Sequence, residues 1–306
     1  MALNNPAFNN PAFQDPKAVQ TYPGGPQAAN LGAQTQFATA QSAGTDAAAQ
    51  ARLEGMYAAP PAGAVETGRM SVEDTVWKTL GLFAVLLVGA VAGWIWTMAG
   101  VTPANPDPSI APWAIGALGG FVLSLVVIFT SRKKIRPALI FGYAAFEGLF
   151  VGGISAFFEM MFEGIVLQAT LATLSVVGVT LALFASGKIR ASKKATKVFL
   201  IAMVGYLVFS LINIGLMIFN APIAGGAFGL LSQKGPLGIP WGVLIGVFVV
   251  IMAAYSLVLD FDNIQQGVRN GAPRQYGWLG GFGIMVTVVW LYIEILRIIA
   301  IARSSN

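Results

Sequence analysis

The sequence predicts an all-α membrane protein, seven transmembrane helices packed as a compact bundle. Three observations predict it. Of the 306 residues, 56% are hydrophobic and 10% charged, whereas a soluble domain carries about 25% charged residues. From about residue 77 the chain divides into seven apolar runs of about 20 residues, the helix length that crosses roughly 30 Å of hydrocarbon. Most of these runs also pair glycines one turn apart, which lets helix backbones approach closely.

Residues 1–68 precede the runs. They are rich in Ala, Gln, Asn, Pro and Gly and hold a tandem Asn-Asn-Pro-Ala-Phe at 4–8 and 9–13. Without periodic apolar residues to offset backbone ordering, this stretch reads as a disordered tail ahead of a transmembrane domain over 69–306. The repeated Pro-Ala-Phe is a candidate docking motif. A basic region followed by a short apolar stretch is missing, so the tail does not read as a signal peptide.

The apolar runs fall at 77–98, 110–130, 138–157, 165–185, 197–219, 239–259 and 278–302. In hydrocarbon each backbone polar group must be paired within the segment, so each run is a helix. The first carries Gly89/Gly93, the second Gly116/Gly120, the third Gly148/Gly152 and the sixth Gly242/Gly246, while Gly277/Gly281 opens the seventh. These pairs point to packing within one chain. The loops alternate in charge. Those at 131–136, 186–197 and 260–277 hold 11 basic residues, against Lys234 alone in the loops at 99–109, 158–164 and 220–238. By the positive-inside rule the N-terminus is cytoplasmic and the C-terminus outside. Basic residues confined to short loops between spans indicate topology rather than nucleic-acid binding.

The chain has neither Cys nor His. That excludes disulfides, thiol nucleophiles, Cys/His zinc sites and histidine-dependent catalysis. No constellation of nucleophile and base points to an enzyme, and no cofactor is expected.

Ionisable groups inside spans are costly and mark function by default. Glu147 lies nine residues into the third run, about 13 Å from its cytoplasmic end. Asp260 and Asp262 follow the sixth run in Leu-Asp-Phe-Asp-Asn-Ile. Glu294 lies sixteen residues into the seventh, with Arg297 one turn on as an intrahelical partner. A cluster of these carboxylates from helices three, six and seven suits a hard cation such as Ca²⁺, which takes oxygen ligands. Carboxylates held together also share protons, so such a site would be blocked at low pH. Arg132, on the cytoplasmic side, could close the path by pairing with Asp260.

Taken together, Phe-Glu-Gly-Leu-Phe-Val-Gly-Gly-Ile-Ser (146–155), Leu-Val-Leu-Asp-Phe-Asp-Asn-Ile (257–264) and Trp-Leu-Tyr-Ile-Glu-Ile-Leu-Arg (290–297) resemble the Bax inhibitor (transmembrane Bax-inhibitor-motif) family over about residues 69–303. The Asn-Pro-Ala-Phe tail and Gly-Val-Arg-Asn-Gly-Ala-Pro (267–273) look like a bacterial branch. The resemblance implies a central seventh helix and a pH-sensitive Ca²⁺ leak. It also implies that Asp260, in an Asp-x-x-x-Ile motif with Ile264, pairs with an acid of helix seven and is latched by Arg132. Matching Leu-Tyr-Ile-Glu makes Glu294 that acid; matching the terminal Leu-Arg puts Thr287 there instead. Glu147 is a further candidate for the second carboxylate. The resemblance leaves room for another class, a non-conducting stress or quality-control protein that binds membrane partners such as a protease.

Overall fold

Seven helices account for most of residues 68–219, 228–235 and 238–305, the part of the chain that the computed structural model describes. They are α1 (Val72–Met98), α2 (Ala111–Ser131), α3 (Pro137–Met161), α4 (Ile165–Ala185), α5 (Lys193–Ile218), α6 (Trp241–Arg269) and α7 (Tyr276–Ser304), with a 3-10 turn at Gly229–Ser232 before α6. All seven are long and apolar enough to cross a membrane. The tail expected at 1–68 lies outside the described residues except for Gly68.

Several helices outrun their apolar stretches because local chemistry extends them. Ser71 caps α1 by accepting the Asp74 N–H at 3.1 Å, and Glu73 and Asp74 sit in the first turn. Ser192 caps α5 in the same way, five residues before the apolar run begins. Pro137 opens α3, where its missing N–H costs no helical bond. The largest departure is α6. Its apolar run stops at 259, but the helix continues to Arg269 and buries Ile264 and Gly267. Asp260 and Asp262 are therefore inside a helix rather than at its end.

Helix α7 is the axis of the bundle and packs on α1, α3, α4 and α6. Half of its apolar window (50%) is buried, against 11% for α5, which lies at the periphery. One core cluster joins α1, α2, α3, α6 and α7 through Leu82, Val127, Ile140, Ile264 and Leu279. A second joins α3, α4, α6 and α7 through Ile154, Ile165, Leu257 and Leu291. A third sets Phe199 of α5 on Val249, Met252 and Leu259 of α6. Outward-facing side chains such as Val88, Phe121, Leu174 and Val204 are apolar, as a hydrocarbon surround requires.

The glycine pairs all work within the chain. Gly89 and Gly93 face Gly148, Leu149 and Gly153; Gly116 faces the Phe150 backbone; Gly242 and Gly246 face Ile301 and Ile298; Gly277 and Gly281 face Thr75 and Thr79. At Gly152 a Cβ would lie 2.7 Å from the Cα of Ala90, so α1 and α3 could not keep their spacing. The loops that carry the basic residues meet at one end. Arg190 donates to Gln265 at 2.9 Å, and Ile135 shares a core cluster with Ile264 and Ala272.

Gly152→Ala is expected to cost about 1–3 kcal/mol, because backbone rather than a movable side chain blocks the new methyl. Gly178→Ala on α4 has open space around it and should be neutral or slightly stabilising. Denaturant titrations of both variants in the same detergent micelle check the contrast.

Candidate functional site

Asp260 is fully enclosed, at 0% exposure. It stands nine residues from the basic end of α6, about 14 Å along the axis. The Thr287 hydroxyl of α7 donates to its Oδ2 at 2.6 Å, and Ser256 Oγ, one turn back on α6, lies 3.5 Å from Thr287 Oγ1. Between the two matches that the sequence left open on helix seven, the geometry sets Thr287 beside Asp260.

Glu294 serves a different interface. It is two turns beyond Thr287 on α7, roughly 10 Å further along the axis, and is 5% exposed. The Tyr206 hydroxyl of α5 donates to its Oε1 at 2.5 Å, and Arg297 Nη2 pairs with its Oε2. Arg297 Nη1 also donates to the Tyr206 oxygen at 2.6 Å, which closes a three-residue ring of hydrogen bonds. This ring fastens the peripheral helix to the axial one. Two further polar contacts hold α5 along its length. Thr196 meets the Tyr255 hydroxyl of α6 at 2.9 Å, and Asn213 accepts the Leu230 N–H at 2.7 Å while donating to the Phe228 carbonyl at 3.1 Å.

Glu147 belongs to a third interface. It is half-buried and hydrogen-bonded to Tyr143, one turn back on α3. Its Oε2 fills the space beside Gly120 of α2, where a Cβ would come within 2.9 Å. Asp262 is half-buried and Arg132 is exposed at the C-cap of α2, and neither forms an ion pair among the described residues. The expected cluster of carboxylates from helices three, six and seven is thus not assembled. Each acid has its own neighbours, and among the described residues no three Asp or Glu are grouped closely enough to hold a metal ion. The Arg132–Asp260 latch is likewise not formed, because Asp260 is sealed inside the bundle while Arg132 faces outward.

Sequence reasoning missed Tyr206, Ser256 and Tyr143. The spacing of Tyr143 and Glu147, four residues apart, places them on one helix face and could have revealed that pair. Tyr206 left only the weaker signal of a polar-tipped ring inside an apolar run.

Arg297→Gln should destabilise the fold by about 3–5 kcal/mol, since it leaves the buried Glu294 without its cation. Adding Glu294→Gln should recover part of that loss. Thr287→Val should cost about 1–3 kcal/mol by stripping a hydrogen bond from a buried carboxylate. Unfolding followed by tryptophan fluorescence in micelles measures all three.

Searches of curated proteins and of solved structures return no match to this chain. A protein-family model described as Bax inhibitor 1 like matches residues 5–304, far more than half of the chain and more than the 69–303 that its motifs cover. With seven apolar helices around an axial seventh, and an enclosed Asp260 on the sixth, the chain is a membrane protein that belongs to the Bax inhibitor 1 like family.

Proposed function

We propose that this protein is a pH-sensitive leak for Ca²⁺ in a bacterial plasma membrane, with its N-terminus in the cytoplasm, its C-terminus outside and no enzymatic activity. The observation that carries the reading is Asp260, a carboxylate wholly buried within a span at the family's Asp-x-x-x-Ile position and held by a neutral hydroxyl. An ionised carboxylate within the bilayer attracts a hard cation and supplies the oxygen that the cation needs. A proton on the same oxygen removes that attraction. With Asp260 enclosed, the conformation described corresponds to the closed state, and opening requires α6 and α7 to separate around Thr287. Glu294 and Glu147 then contribute from their own interfaces. Glu294 ties α5 to the axis through Tyr206, and Glu147 packs between α2 and α3. In this reading Arg132 engages the path only in another conformation.

The family match favours a second reading, because it begins at residue 5 and takes in most of the tail. Under it, the protein is a non-conducting stress or quality-control factor, and the tail docks a membrane partner such as a protease.

Ca²⁺ flux into dye-loaded liposomes at pH 6, 7 and 8 separates the two. The leak predicts flux that rises with pH in the wild type, loses its pH dependence in Asp260→Asn and survives deletion of residues 1–68. Flux no greater than that of empty liposomes at every pH would sink the leak. Partner capture that depends on residues 1–68 would then support the docking reading.

A further inference from the structure

We propose that residues 68–74 form a strap that seals the basic end of the bundle above Asp260, locked by Asp74 onto the α6–α7 loop. The strap pairs with that loop backbone to backbone. Met70 N–H donates to the Ala272 carbonyl at 2.7 Å and Arg274 N–H to the Gly68 carbonyl at 2.9 Å, which sets Arg69 antiparallel to Pro273. Met70 is only 1% exposed and lies in the same core cluster as Ile135, Ile264, Ala272 and Tyr276. It is a plug made from a residue that precedes α1.

The lock consists of one carboxylate between two cations. Asp74 Oδ1 accepts from Arg274 Nε at 3.0 Å and Nη2 at 2.8 Å, and Oδ2 accepts from Lys78 Nζ at 2.5 Å. Lys78 Nζ also donates to the Arg274 carbonyl at 2.7 Å, so strap and loop are tied through both side chain and backbone. Gly277 admits this arrangement, since a Cβ there would stand 3.1 Å from both Lys78 Nζ and Thr75 Oγ1.

The strap reaches the neighbourhood of Asp260 through Met70, which shares a core cluster with Ile264, and through the first turn of α1. A Cβ at Gly280 would lie 3.0 Å from Ile264 Cγ1 and 3.2 Å from Thr75 Cγ2, so α1, α6 and α7 meet there, one turn from Asp260. The half-exposed Arg274 arm is the weak side of the lock, open to water and to salt screening. A pull at Gly68 acts on the Gly68 and Met70 pairings before it reaches α1.

Because the chain has no cysteine, an introduced one is the sole thiol. The full-length protein in nanodiscs is compared with Ile264→Cys, beneath the strap, and Ile301→Cys, equally enclosed at the far end of α7, by labelling with a charged, membrane-impermeant maleimide. Both sites should react slowly. Asp74→Ala and, separately, Arg274→Gln should accelerate labelling at 264 by about tenfold, a local opening, and leave 301 unchanged. No acceleration at 264 with Arg274→Gln overturns the proposal. Equal acceleration at both sites also overturns it, because that reports general loosening of the fold. The readout is access to a side chain rather than ion flux, so its failure and that of the leak assay are distinguishable.

Discussion

Hydrocarbon leaves a polar group no solvent to fall back on, and this constraint organises the bundle. Apolar packing alone gives little reason for one helix to prefer another when lipid is as apolar as leucine. Two kinds of contact supply the preference here. Glycines bring α1, α2 and α3 into backbone contact at Gly116, Gly148 and Gly152. Buried polar side chains then tie α3, α5 and α6 to the axis: Ser155 to Tyr292 at 2.7 Å, Tyr206 to Glu294 with Arg297, and Asp260 to Thr287. Helix α5 shows the division most clearly. With little buried apolar surface, it depends on three polar contacts spaced along its length.

The spans were legible in the sequence because an apolar run of bilayer length is a strong and local signal. Helix ends were less legible. Beyond residue 259 the sixth helix runs through Asp, Asn and Gln, which hydropathy reads as loop, but Ile264 and Gly267 face the core and keep the segment helical. The acids could be found because charges are rare in spans. From the residues alone their partners could be found only where they share a helix, as for Glu294 with Arg297 and Glu147 with Tyr143; Thr287 entered as a match beside Asp260 only through the family resemblance. Tyr206 is 88 residues from Glu294 and Asp260 is 27 from Thr287. Such pairings depend on helix rotation and order, which composition and spacing do not carry. The Asp74 lock was hidden for the same reason, since Arg274 lies 200 residues away.

Separating the acids changes what a proton can do. A carboxylate dyad titrates as a unit, with one proton shared between two like charges. Asp260 instead accepts a hydrogen bond from Thr287, a group that cannot ionise. Two unit charges about 10 Å apart at an effective dielectric near 20 interact by about 1.7 kcal/mol, enough for Glu294 to matter to Asp260 if it stood alone. It does not stand alone: Arg297 pairs with it directly, so the field that reaches Asp260 is that of a near-neutral dipole. The ion pair therefore does two things at once. It fastens α5 to the axis, and it weakens the field of Glu294 at Asp260 on the neighbouring helix.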